Sequence, residues 1–401
     1  MDIAIIIMVI GITIVLAILT KSGLQRIGIP ALVGFILLGF LIRLIDSNLN
    51  IMNENGMEIF RFLAKLGIFT LLFKVGLETD VRGLVRSLKK AGFVWLINII
   101  GSFAAGYYAA ILLLGFSDVQ SIFIGVAMTA TSVGVSVTPW KEADKLDTEE
   151  GRIMLDTAEL DDISSIMLMA LLFSVAPALP EGSLPAGKIL TQAGFMLVKL
   201  LAFGGFCILI SIYSEKKLTR FFEKFEKQPD PMLTIAGIGL VLAAIAGALG
   251  FSLAIGAFFA GLIFSRDPDV VRMEASFDSI YEFFTPFFFI GIGLNIAPGS
   301  LGSGASFGLV LIAAAVVGKF VGAGIPVIFT SGFGGAALLG VSMIPRAEIA
   351  MIVMQRGLDL GEWAVSPQGF SAMVLVVAAT CIFAPITVKY LLSKLLTQNK
   401  K

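Results

Sequence analysis

DTAELDDISSIMLMA, residues 156–170, lies inside an apolar segment that runs from 153 to 175. That segment is long enough to cross a bilayer as one helix. At its middle sit two adjacent carboxylates, Asp161 and Asp162, with Glu159 just before them. An ionised side chain at that depth costs about 3 kcal/mol or more, so it persists only where it is paired or faces a water-filled cavity. The carboxylates therefore mark a polar site within the membrane, and the surrounding chain has to supply what they face.

Composition sets the class. Hydrophobic residues make up 57% of the 401 and charged residues only 14%, a balance far from that of soluble domains and expected of an all-α integral membrane protein. Formal net charge is zero and no basic run is long, so no nucleic-acid partner is expected. Cys207 and Cys381 lie in separate apolar segments without metal-ligand spacing and read as packing residues. Histidine is absent, so any proton handling near neutral pH must fall to carboxylates or to a buried lysine.

The chain divides into about thirteen apolar spans of helical length. They cover residues 3–19, 30–45, 59–77, 91–114, 121–138, 153–175, 189–213, 232–249, 251–264, 280–296, 307–329, 336–354 and 370–392. The first has neither a basic leader nor a small-residue cleavage site and is expected to be retained. Lys and Arg crowd the connections after odd-numbered spans, for example Arg82, Arg86, Lys89 and Lys90, or Lys216, Lys217, Arg220, Lys224 and Lys227 in the charged segment 214–230. Even-numbered connections hold almost none. By the positive-inside bias this places the amino terminus outside and the carboxyl terminus in the cytoplasm.

Two weak self-matches suggest an internal repeat. FTLLFKVGL (69–77) pairs with FTPFFFIGI (284–292), and GVSVTPWKE (134–142) with GVSMIPRAE (340–348). Both pairs are offset by seven spans, and an odd offset inverts the second copy. Inverted-topology repeats of this kind build secondary transporters, whose sites form where discontinuous helices meet near the midplane. TATSVGVSVTP (129–139) has the composition of such a helix: Thr129, Thr131 and Ser132 can satisfy freed backbone groups or offer oxygens to a cation. Gly340, Ser342 and Pro345 mark the counterpart in span twelve. A pair of proline-kinked helices with self-bonded hydroxyls is the plainer alternative.

Neighbouring helical residues point about 100° apart, so Asp161 and Asp162 cannot face the same partner equally. One can look into a cavity while the other meets a neighbouring helix. Lys319, the charged residue within the apolar eleventh span, is the candidate for that meeting, either as part of the chemistry or as a structural bridge. Arg346 and Glu348 carry opposite charges beside the expected break and read as structural. Glu159 either lines the cavity or caps a polar cluster. Arg61, Lys65 and Lys74 recur along span three, where they can snorkel to the interfaces or pair within the bundle. Glu282 and Lys199 are expected near span ends, at the interface. GSLGSGASFG (299–308) follows no soluble strand and reads as a flexible connection on the outer face, not a phosphate loop.

At this point the chain resembles the monovalent cation:proton antiporters of the second class, and within them the NapA-type sodium/proton antiporters. The resemblance covers nearly the whole chain. It is carried by LLFKVGLE (71–78), TATSVGVSV, AELDDISSI, LGFSLAIGAFFAGLIFS (249–265), PFFFIGIGL (286–294), VVGKFVGA (316–323) and GVSMIPRAEIA (340–350). It implies a homodimer in a bacterial or archaeal cytoplasmic membrane, with two crossing discontinuous helices. A core of residues 59–176 and 280–392 would carry the ion past scaffold helices at 3–45 and 189–264 in an elevator-like movement, with no soluble regulatory domain and no cofactor. The implied roles are cation or proton binding at Asp162, pairing of Asp161 with Lys319 when the ion is absent, and a structural Arg346–Glu348 pair. Two aspartates imply electrogenic exchange of cytoplasmic Na+ or Li+ for external protons. Ala347 stands where a glycine is common in the family, and Asn295 where an acid often stands.

Three rivals share some of these features. A Kef-type potassium efflux transporter or K+/H+ antiporter shares the fold, although Kef proteins carry a long cytoplasmic nucleotide-binding region. A sodium-coupled solute symporter also uses inverted repeats. An intramembrane aspartyl protease would need acids converging from different helices and a GxGD pattern, which the chain lacks.

Overall fold

A computed structural model describes residues 3–49, 54–176, 179, 186–213, 231–265 and 270–398. The charged connection 214–230, with Arg266, Lys400 and Lys401, lies outside the described residues. Among the described residues every regular element is helical, in fifteen α-helices. In order these are α1 (Ile3–Arg26), α2 (Ala31–Leu49), α3 (Glu54–Glu78), α4 (Val81–Tyr108), α5 (Asp118–Thr129), α6 (Val133–Glu142), α7 (Glu149–Val175) and α8 (Ala186–Tyr213). There follow α9 (Pro231–Ala248), α10 (Leu253–Phe264), α11 (Val270–Leu294), α12 (Leu301–Lys319), α13 (Ile325–Ser342), α14 (Glu348–Leu360) and α15 (Pro367–Gln398). Six described helical stretches are long and apolar enough to cross a membrane. Counting α5 with α6, and the end of α13 with α14, as interrupted spans leaves about thirteen spans.

The described residues group into two compact units. Residues 1–17, 45–81 and 170–291 form the first. Its helices approach through glycines: Cβ atoms added at Gly76 of α3 and Gly261 of α10 would each run into the other helix's backbone carbonyl, at Phe258 and Phe73. Phe69 stacks on Phe73, and Phe73 meets Phe277 at 5.1 Å between ring centres. Lys74 is drawn into this unit, 2.5 Å from Asp278 and over the Tyr281 ring, while Arg61 and Lys65 stay exposed. Contacts thus group α3 and most of α11 with α8–α10.

Three expectations fail here, one of them at Glu282, which lies midway along α11 and not at a span end. Lys199 is not at a span end; it lies midway along α8, where its ammonium donates to the Leu249 carbonyl just past the end of α9 and lies 5.4 Å from the Phe251 ring centre. A helix end inside apolar surroundings leaves carbonyls that need a donor, and Lys199 is one. The Gly-rich run 299–308 is not a flexible connection: it forms a 3-10 turn, Pro298–Ser300, and the start of α12. Its glycines let α12 lie close on α15, since a Cβ at Gly304 would come within 2.8 Å of Ser371 Cβ and one at Gly308 within 2.6 Å of Leu375 Cδ2.

Residues 18–44, 82–169 and 292–401 form the second unit. α5 starts at a capping box between Ser117 and Gln120 and ends at Thr129. Three non-helical residues, 130–132, separate it from α6. α13 is interrupted at Gly332, which has φ 65°, a conformation that suits a residue without Cβ. Its last turns, 333–342, lead to a second irregular segment, 343–347, before α14. The two self-matching motifs do not hold equivalent places: 134–142 follows its break with Pro139 inside α6, whereas 340–348 runs across its break with Pro345 in it.

Candidate functional site

The two breaks meet. The Ser132 N–H donates to the Pro345 carbonyl at 2.8 Å, and the Thr131 hydroxyl comes within 3.5 Å of the Met343 carbonyl. Trp140 Nε1 donates to Ser342 Oγ at 2.9 Å, tying α6 to the end of α13. Unwound backbone needs partners in an apolar surrounding, and here each break supplies some of the other's.

Arg346 supplies more. Fully buried, its guanidinium donates to the carbonyls of Met343 and Ile344 in its own break, Met128 at the end of α5 (3.1 Å) and Ala315 of α12 (3.4 Å). Its backbone is held by Thr380 and Cys381 of α15. It forms no ion pair with Glu348, contrary to expectation. The guanidinium is spent on backbone carbonyls, and Glu348 begins α14.

Asp161 lies on α7 against this crossing and is fully buried. Three donors converge on its Oδ2: Lys319 Nζ at 2.6 Å, Thr131 Oγ1 at 2.7 Å and Asn98 Nδ2 at 2.7 Å. Oδ1 has no partner. Lys319 is equally buried and also donates to the Thr129 carbonyl at 2.8 Å, at the end of α5. A π-helical turn, Phe320–Gly324, follows it directly, an irregularity frequent at functional sites. The Thr129 hydroxyl turns back to Val126 O and meets Ser165 Oγ.

Asp162 is different in each respect. It is partly accessible and makes no hydrogen bond or ion pair among the described residues. Its electrostatic neighbours are Glu348, Asp161, Lys319 and Glu159. The 100° between adjacent helical residues has thus separated one locked carboxylate from one that is partly accessible and unpaired. Glu159, half-buried on the same helix, has partners of its own.

Sequence reading missed Asn98, Trp140 and Ser165. An amide in the apolar run VWLINII was a visible signal for the first, but nothing in the sequence said which helix it would face. Cys207 and Cys381 are buried and free.

A buried acid–lysine pair set beside two interrupted helices is the architecture of an ion-coupled secondary transporter. The chain belongs to the sodium/hydrogen exchanger family of transmembrane proteins, whose model it matches over residues 11–394. It is an antiporter and not an enzyme. It is 29% identical to the Na(+)/H(+)-K(+) antiporter GerN of Bacillus cereus, across 91% of this chain and 90% of that one. It is 27% identical to a Na(+)/H(+) antiporter of Enterococcus hirae, across 92% and 94%. Its fold is similar to that of the sodium proton antiporter MjNhaP1 of Methanocaldococcus jannaschii, with a TM-score of 0.72 at 16% identity over 99% of this chain.

Proposed function

We propose that this chain exchanges cytoplasmic Na+ or Li+ for external protons at Asp162, electrogenically, by alternating access. One observation carries the proposal: Asp161 is locked to Lys319, while the adjacent Asp162 is partly accessible and makes no hydrogen bond or ion pair among the described residues. A carboxylate without a cationic partner of its own suits a small hard cation. It cannot hold metal and proton together, so the two compete. Cation binding at Asp162 would let Lys319 leave Asp161, giving the cycle a second titrating group and hence net charge movement. Lys319, Thr131, Thr129 and Ser132 frame the site, Arg346 and Glu348 shape the breaks, and Glu159 lines the approach.

The moving core spans residues 59–176 and 280–392, against a scaffold of 3–45 and 189–264 in a homodimer. That every bond of the site lies within the second compact unit supports treating the helices around it as one piece. The remainder follows the resemblance and the charge bias: inverted NapA-like repeats, amino terminus outside, carboxyl terminus cytoplasmic, in a bacterial or archaeal inner membrane. The name of the Bacillus cereus relative includes K+, which makes K+/H+ exchange the second reading.

The test is proton flux in sealed vesicles with each alkali cation added in turn, for wild type and Asp162→Asn. Flux that responds to Na+ or Li+ in wild type and is lost in the variant supports the reading. Flux that survives the substitution with full cation response sinks the site.

A further inference from the structure

Asn98, from α4, is with Thr131 one of the two uncharged donors on Asp161 Oδ2, and its placement is tightly built. α4 meets the end of α12 and the π-helical turn after it backbone to backbone: a Cβ at Gly318 would sit 3.1 Å from Ser102 Cα, and one at Gly322 only 2.8 Å from Asn98 Cα. Those two glycines flank Lys319. The same contact therefore sets the positions of both Asn98 and the lysine relative to Asp161. Asn98 is fully buried, and its own Oδ1 has no partner, so its amide is held at the carboxylate and shared with nothing else described.

We propose that Asn98 is a positioning residue for the exchange, resting on the antiport reading above: its amide holds Asp161 Oδ2 in place while Lys319 leaves and returns. In the proposed cycle the ammonium departs, and a buried carboxylate then needs other donors to stay ionised. Asn98 and Thr131 remain on the same oxygen. They keep the carboxylate aimed at the lysine's position, so recapture needs no rearrangement of α7. The charged groups around Asp161 are Lys319 from α12, Arg346 from the second break and the adjacent Asp162 on α7, with Glu159 acting on Asp162; α4 contributes the amide.

The test is the pH profile and apparent Na+ affinity of flux in vesicles for wild type, Asn98→Asp and Asn98→Leu. Asn98→Asp preserves size but sets a carboxylate 2.7 Å from another. Two acids that close share a proton, so half-maximal activity moves to more alkaline pH by about one unit or more. Asn98→Leu, which also fills the space, moves the profile in the same direction and weakens apparent Na+ affinity. A folded Asn98→Asp protein with the wild-type profile and affinity overturns the proposal, since packing alone would tolerate the isostere. If Asn98→Asp does not fold, Asn98→Ser and Asn98→Ala decide. Serine holding the profile while alanine shifts it supports the role, and identical profiles overturn it. A wild type without cation-dependent flux sinks the antiport reading and this inference with it, whereas an active wild type with unmoved variants sinks the inference alone.

Discussion

The backbone N–H of Ser132 donates to the carbonyl of Pro345 at 2.8 Å, so the two helix breaks are fastened to each other before any side chain is considered. Three of the groups around Asp161 are attached to that junction, while Asn98 comes from α4: Thr131 precedes Ser132, Lys319 reaches the Thr129 carbonyl, and Arg346 follows Pro345. The junction therefore sets where the site's donors stand, and the following expectations concern what happens when its supports are removed.

Arg346 satisfies carbonyls from both broken spans and from α12. Arg346→Ala leaves them without a donor, and each unsatisfied buried group costs about 1–3 kcal/mol. The expected result is a fall of several kcal/mol in stability, or failure to fold, by thermal unfolding in detergent. Glu348→Gln should behave independently. A double-mutant cycle between Arg346 and Glu348 should give a coupling within about 0.5 kcal/mol, and a coupling of about 2 kcal/mol would show that the two pair after all.

Lys319 and Asp161 are both fully buried. Removing one leaves the other's charge uncompensated, at a cost of about 3–5 kcal/mol. Lys319→Met and Asp161→Asn are each expected to destabilise by this order, and the double variant should recover most of the loss. Flux separates the roles: a purely structural bridge predicts that the stable double variant transports like wild type, whereas the proposed cycle predicts that its charge movement per cation falls.

Much of this was legible in the chain. Asp161, Asp162 and Lys319 stood out because a charge within an apolar span has to be explained, and the hydroxyl-rich run 129–139 announced the first break. Asn98 was visible as an amide within an apolar run, but without a charge to be paired nothing said which helix it would face. The Arg346–Glu348 pair was implied by the resemblance and agreed with opposite charges two residues apart, but the break gives the arginine carbonyls to satisfy, and a short distance along the chain says nothing about that demand. The Gly-rich run 299–308 was misread because glycine serves both loose connections and close helix contacts, and only the neighbouring α15 distinguishes them.

Gly261 and Gly76 are where α10 and α3 touch backbone to backbone. Gly261→Ala forces the helices apart, and overpacking of this kind costs about 1–3 kcal/mol. Gly237, within α9, has nothing within 4 Å of where a Cβ would stand. Gly237→Ala should therefore stabilise, by about 0.5–1 kcal/mol from helix propensity. Equal effects at the two sites, measured by thermal unfolding, would show that the Gly76–Gly261 contact is not close-packed.

Trp140 offers a view of the junction from the other side. It is 1% exposed, and its indole N–H is spent on Ser342 Oγ, which in turn donates to the Leu338 carbonyl. Ser342→Ala leaves that N–H buried without an acceptor, costing about 1–3 kcal/mol; Ser342→Thr keeps the hydroxyl and should lose less. The same pair reports on motion. With Trp95 and Trp363 replaced by Phe, Trp140 is the sole tryptophan, and its emission follows the packing between α6 and the end of α13. If the crossing travels as one piece, adding Na+ across the range that drives flux leaves that emission unmoved, because Trp140 and Ser342 move together. An emission shift that tracks Na+ with the same midpoint as flux would show that the junction itself opens during exchange, and would replace movement of a rigid core with local rearrangement at the breaks.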